Sequence, residues 1–288
     1  MLAQNMEKPE FVLFSNIPRS FLDEIGRELG AYSVAIGYSK IGNAKSFKPI
    51  GSGVLVQKGK HFGILTAHHC LYAPGPDLQL GTVGGDVLHL ILTNGQGAII
   101  PSEVVTKHPL AIPDPNTHEP DLAFIEILSA STIGTIKAIA SFKSLDKNPD
   151  DVQKEFGNEG TAFVVIGFPG VHYQTKIEGN TIRHTVKHMT YFFNIKPDSI
   201  SYRNGWDYIE ANCWYGAGSE LPHTFGGVSG GPVWGLFGTK DAESGLFKLT
   251  KFGLLGIAFA ETPIRNDERK IQAHFVKSIY DLAWRNLK

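Results

Sequence analysis

Three short segments carry residue types from which nucleophilic chemistry is built. Gly226-Gly227-Val228-Ser229-Gly230-Gly231-Pro232 sets a serine between two glycine pairs. Neighbours without side chains let a ligand approach the backbone closely; the plainer reading of the same residues is a glycine-rich β-turn. Leu65-Thr66-Ala67-His68-His69-Cys70 ends an apolar run with two histidines, and Pro120-Asp121-Leu122-Ala123-Phe124-Ile125 puts an aspartate at the mouth of another. Serine is a poor nucleophile until a base takes its proton, and histidine titrates near enough to neutrality to do so.

Positioning such groups falls to the elements around them. From residue 32 onward the pattern is one of short strand-like runs, at 32–38, 53–57, 62–67, 87–92 and 122–127. Turn clusters such as Ala73-Pro74-Gly75-Pro76-Asp77 part them. Residues 1–31 form an extension with one helix, which Ser20 caps and Gly30 ends, with Phe21, Leu22, Ile25 and Leu29 on one face. The polar segment 141–158 reads as the connection between two halves. The second half opens at 161–168 and continues through strand-like stretches to 252–260. Asp267 caps a final helix over 267–288, with Ile271, Phe275, Ile279 and Leu282 on one face. The pattern is two successive all-β units, an N-terminal helical extension and a C-terminal helix.

Composition narrows the classes of function. The 288 residues hold 27 Lys+Arg against 28 Asp+Glu, a net charge of −1, which supplies no electrostatic reason to expect nucleic acid or an anionic membrane as partner. Low charge, 19%, with 32 glycines suits a turn-rich, well-buried β protein and not a disordered one. The apolar runs are of strand length, so neither a membrane span nor a secretory leader is expected. Two cysteines make no disulfide framework, and a cytoplasmic setting is the expectation.

Taken together, in the order His, Asp, Ser, the three segments resemble the trypsin/chymotrypsin-like serine proteases. The marks of that family are a threonine-alanine-x-His-Cys segment, an Asp-Leu-Ala-like strand start and Gly-x-Ser-Gly-Gly-Pro. Gly51-Ser52-Gly53-Val54-Leu55-Val56 and Gly167-Phe168-Pro169-Gly170 are similar to its bacterial, disulfide-free branch. The resemblance spans about residues 32–285. It implies an all-β fold of two six-stranded antiparallel β-barrels, the first over 32–140 and the second over 159–266, a polypeptide substrate and neither cofactor nor metal. It assigns His69, Asp121 and Ser229 to a catalytic triad, with the N–H groups of Gly227 and Ser229 as the oxyanion hole. His223 and Thr224 then fall at the floor of a substrate pocket, and Ala258, Phe259 and Glu261 along its wall. A histidine there would suit acidic or amide side chains and Glu261 a basic one, so the preference stays open. A regulatory protein partner is left open too.

Departures from the family pattern matter. Val228 stands where secreted relatives carry the aspartate that receives a newly cut N-terminus, and no Arg-Ile-Val-Gly-Gly activation site precedes the first barrel. Both parts of that device are missing together, so the uncut chain is expected to be competent. Cys70 has no cysteine within 51–57 to pair with and is expected as a buried free thiol. His68 is expected on the face opposite His69, and Asp114, in a Pro-Asp-Pro loop, is the rival set aside for Asp121. An α/β-hydrolase needs a helix straight after its serine; Pro232-Val233-Trp234-Gly235-Leu236-Phe237 reads as strand and excludes it. His184 and His188 share a strand face but lie about 13 Å apart, too far for one metal ion. The competing reading, of a different class, is a catalytically silent trypsin-like fold used as a peptide-binding or scaffold module.

Overall fold

A computed structural model describes residues 19–71, 86–156, 161–178, 181–193, 199–214, 221–240, 247–285 and 287. Helix α1 (Arg19–Gly30) leads into β1 (Ser33–Lys40), β2 (Asn43–Lys58), β3 (His61–Thr66), β4 (Asp86–Leu92), β5 (Gly97–Pro101), β6 (Val105–Ala111) and β7 (Leu122–Ile127). The middle of the chain holds α2 (Ala130–Lys137), β8 (Lys143–Ser144) and α3 (Pro149–Phe156). Then come β9 (Ala162–Gly167), β10 (Tyr173–Glu178), β11 (Thr181–Val186), β12 (Met189–Phe193), β13 (Ile200–Arg203) and β14 (Trp206–Trp214). The chain closes with β15 (Pro232–Lys240), β16 (Phe247–Glu261), β17 (Glu268–His274) and α4 (Val276–Tyr280).

The protein is mostly β. One sheet runs β5-β4-β1-β2-β3-β7-β6, with β8 added alongside β2; the other runs β12-β9-β15-β16-β17-β14-β13, and β10–β11 pair as a separate hairpin. All pairings are antiparallel except the short β2–β8 contact. Each sheet has its own apolar filling, Val34, Ile36, Leu55, Ile64 and Ile125 in the first and Val164, Trp234, Leu254 and Ile257 in the second. Two six-stranded barrels were expected. Among the described residues neither sheet is closed: no pairing joins β5 to β6 or β12 to β13, leaving open sheets of eight and seven strands.

Helix α1 forms as its apolar spacing dictates, burying Ile25 and Leu29, although it already includes Arg19, so Ser20 lies inside its first turn. The segment expected as a bare connection is structured. Lys143 and Ser144 pair with Val56 and Gln57 of the first sheet, and α3 starts where Asn148 Oδ1 accepts from the Asp150 N–H at 2.7 Å. Val152 and Phe156 are buried, and the Phe156 ring fills the space above Gly235 and Gly253, paired across β15 and β16; a Cβ at Gly253 would overlap it. The first half also holds α2, capped by Ser129 Oγ accepting from Thr132 N–H at 3.2 Å, which the apolar pattern did not announce.

The C-terminal expectation needs correction. Asn266 and Asp267 both have positive φ, 52° and 59°, between the bridged residues Arg265 and Glu268. That is the geometry of a two-residue hairpin turn, which Asn and Asp tolerate, so Asp267 turns a hairpin instead of capping a helix. Ile271 and Ala273 alternate inward along β17, and helix begins only at Val276. The turn at 73–77 lies outside the described residues. No described helix is long and apolar enough to cross a membrane.

Candidate functional site

The histidine pair does not sit on a strand. β3 ends at Thr66, and His68–Leu71 forms one turn of 3₁₀ helix, closed by Cys70 N–H to Ala67 O at 3.1 Å. This turn buries His68 and leaves the His69 side chain about half exposed at 47%. Asp121, 5% exposed at the mouth of β7, meets His69 twice: Oδ1 accepts from the His69 backbone N–H at 3.0 Å, and Oδ2 lies 2.5 Å from Nδ1. Burial works against the charged ring, but the bond to Asp121 and contact with the Cys70 side chain outweigh it and hold the pKa of His69 above the usual value. At His68 burial wins and the pKa falls. Asp114 stays in its own loop, accepting from the N–H groups of Asn116 and Thr117 at 2.8 and 3.2 Å.

A second histidine, missed in the sequence, supports the aspartate. His274, fully buried at the end of β17, accepts the Asp121 N–H on Nε2 at 3.0 Å. Burial drives its pKa down to about 3, and an accepting Nε2 places the ring proton on Nδ1. Trp206, Tyr208 and Phe259 surround the ring, with centroids 5.0–5.5 Å away. Its segment read as helix, so nothing in the sequence set His274 apart.

The serine turn is shaped by glycines and pinned from the first sheet. Gly227 and Gly230 have φ of 94° and 86°, and a Cβ at Gly230 would overlap Ser52 O and Thr66 Oγ1. Ser52, fully buried on β2, donates from N to Ser229 O at 2.7 Å and from Oγ to Gly227 O at 2.6 Å, while Oγ accepts from Phe168 N–H at 2.9 Å. Cys70, a buried free thiol as expected, donates to Ser229 O at 3.5 Å. Gly226 O accepts from Gly170 N–H, and Val228 O from Gly231 N–H, each at 2.7 Å. In a trans peptide the following N–H points the opposite way, so the N–H groups of Gly227 and Ser229 are turned away from these partners. Among the described residues neither donates a hydrogen bond. Val228 is buried against Gly167, where a Cβ would clash with it.

The Ser229 hydroxyl donates to Phe259 O at 3.4 Å and not, among the described residues, to His69. Beside it opens a cavity of about 160 Å³ lined by Phe225, Gly226, Val228, Ser229, Ala258, Phe259, Ala260, Glu261 and Ile271. Of the expected substrate-contacting residues, Ala258, Phe259 and Glu261 are here. His223 is exposed and contributes only its carbonyl, to Arg269, and Thr224 lies behind, donating to Glu261 at 2.9 Å. Phe225 and Ile271 were not anticipated. No cluster of three or more potential metal ligands occurs among the described residues; His184 instead hydrogen-bonds Tyr173 Oη at 2.7 Å and stacks on Phe47.

No protein-family model matches the chain, and no curated protein matches it as a relative.

Proposed function

We propose that the protein is a serine endopeptidase working through Ser229, His69 and Asp121, without a cofactor. The observation that carries the reading is the pair of contacts from His69 to Asp121, beside a glycine-shaped turn with two undirected N–H donors. In this reading His69 takes the Ser229 proton as the hydroxyl attacks a peptide carbonyl. Asp121 holds the ring with Nδ1 protonated and stabilises the imidazolium, and the N–H groups of Gly227 and Ser229 stabilise the oxyanion. His69 then protonates the leaving amine, and water releases the acyl group by the same route. The two sheets stand for the two barrels of the trypsin-like fold, the first giving His69 and Asp121 and the second Ser229.

Attack requires the Ser229 hydroxyl to leave Phe259 O and turn to His69. That hydrogen bond favours the second reading, a peptide-binding module with a silent serine. A fluorophosphonate probe separates the two: stoichiometric labelling at Ser229, with peptide hydrolysis, supports the enzyme, and an unlabelled serine in folded protein overturns it.

A further inference from the structure

The cavity beside Ser229 has apolar walls, made by Phe225, Val228, Ala258, Phe259, Ala260 and Ile271, and one charged residue, Glu261. Glu261 is already occupied. Its Oε1 accepts from Thr224 Oγ1 at 2.9 Å; its Oε2 accepts from Phe225 N–H at 2.8 Å and from Arg269 Nη1 at 2.5 Å. Arg269 comes from β17, is 9% exposed, and also donates from Nη1 to His223 O at 2.9 Å. A guanidinium stays charged at any working pH, so the Glu261 charge is cancelled in place before a ligand arrives. A lysine or arginine entering the cavity would be desolvated against a carboxylate whose charge Arg269 already balances, and an acidic side chain would meet that same carboxylate; an apolar one needs only the walls.

We infer that this cavity takes a medium-sized apolar side chain, such as Leu, Met or Phe, from the residue preceding the cleaved bond, and that Arg269 determines this specificity by neutralising Glu261. The inference rests on the peptidase reading above. Rejection of charge follows from electrostatics, and choice among Leu, Met and Phe from the fit of the walls.

The test measures kcat/KM of the full chain on peptide anilides that differ only in the residue before the scissile bond. Leu, Met and Phe are expected to exceed Arg, Lys and Glu by about 100-fold or more. Arg269→Leu frees the Glu261 carboxylate and should raise the Arg-to-Leu ratio about tenfold or more, a change that partial unfolding does not produce, because it scales all substrates alike. Arg269→Leu combined with Glu261→Gln removes both charges, keeps the variant testable if the single change does not fold, and should return the preference to apolar residues. A wild-type preference for Arg or Lys, an unchanged ratio in Arg269→Leu, or a gain of basic cleavage in the double variant overturns the inference and leaves the peptidase reading intact. Failure of Ser229 to react with the fluorophosphonate probe overturns that reading instead, and the inference with it.

Discussion

The Ser52 hydroxyl donates to the Gly227 carbonyl at 2.6 Å and accepts from the Phe168 N–H at 2.9 Å. One buried side chain of the first sheet thereby orients the peptide next to a candidate oxyanion donor and ties it to the segment after β9. The Ser52 backbone adds a bond to the Ser229 carbonyl, so both ends of the serine turn hang on the same residue.

Ser52→Ala should therefore damage both chemistry and folding. Loss of the hydroxyl leaves Gly227 O and Phe168 N–H without this partner, at a cost of about 1–3 kcal/mol. A loosened hole should lower kcat by roughly 10²-fold, the scale of one lost oxyanion donor. Urea unfolding and single-turnover rates measure the two effects separately; equal kcat in Ser52→Ala would show that the serine turn holds itself.

The triad variants have a defined rank. Ser229→Ala and His69→Ala should each abolish probe labelling and hydrolysis while keeping the fold, because triad members act as a unit. His68→Ala should cost far less catalytically, since the buried His68 is not the residue held by Asp121 Oδ2. If His68→Ala proved as damaging as His69→Ala at matched stability, His69 would not be the base.

In the proposed peptidase the base is neutral His69, whose pKa is raised. The acid limb of kcat/KM should thus lie above 6.5, and Asp121→Asn should move it downward while lowering the plateau. The linkage to folding has a definite sign: a raised histidine pKa contributes stability present in full below 6.5 and lost as the pH climbs through the raised value. A pH–rate series with chemistry limiting, run on both proteins, checks the shift; a limb unmoved by Asp121→Asn contradicts it.

His274 behaves oppositely. With its folded pKa lowered to about 3, it binds a proton only on unfolding as the pH drops below 6.5, so it destabilises the fold progressively through that window. The full effect is on the order of several kcal/mol. His274→Gln keeps an acceptor for the Asp121 N–H and cannot titrate. Its urea midpoint should fall less between pH 7 and pH 4.5 than that of the wild type; parallel curves would place the acid sensitivity elsewhere.

Processing at the N-terminus should not be needed. Val228 is packed against Gly167, and an ammonium buried beside it would lack a counter-charge. Intact protein, checked by mass before and after assay, should label with the probe as fast as protein trimmed to Arg19. Trimming to Tyr32 would also remove Ile25 and Leu29 from the core and so test stability instead. Reaction confined to the trimmed form would reveal activation by cleavage.

Several strands were legible because alternation and apolar runs report burial directly: 122–127 coincides with β7, and 87–92 lies within β4. Of the three residues expected as a triad, the structure brings His69 and Asp121 together, while the Ser229 hydroxyl donates to Phe259 O. What escaped depends on long-range pairing. Ser52 stood in view between two glycines, but its two partners lie more than a hundred residues away. His274 and Ile271 were misread because spacing at 271, 275 and 279 fits a helix, whereas the Asn266-Asp267 turn and sheet pairing impose a strand. Arg269 gave no local sign of its role, which exists only through Glu261 on the neighbouring strand.

The stretch from β8 to α3 is fastened at both ends, by backbone pairing to β2 and by the Phe156 ring seated over Gly235 and Gly253. A slack tether would let the halves swing, admit foreign sequence and offer the first cut to a broad-specificity protease. This one behaves as a brace. Inserted tags or new termini at Leu145, Val152 or Phe156 would carry the penalty of a core lesion, which the exposed residues between them would not.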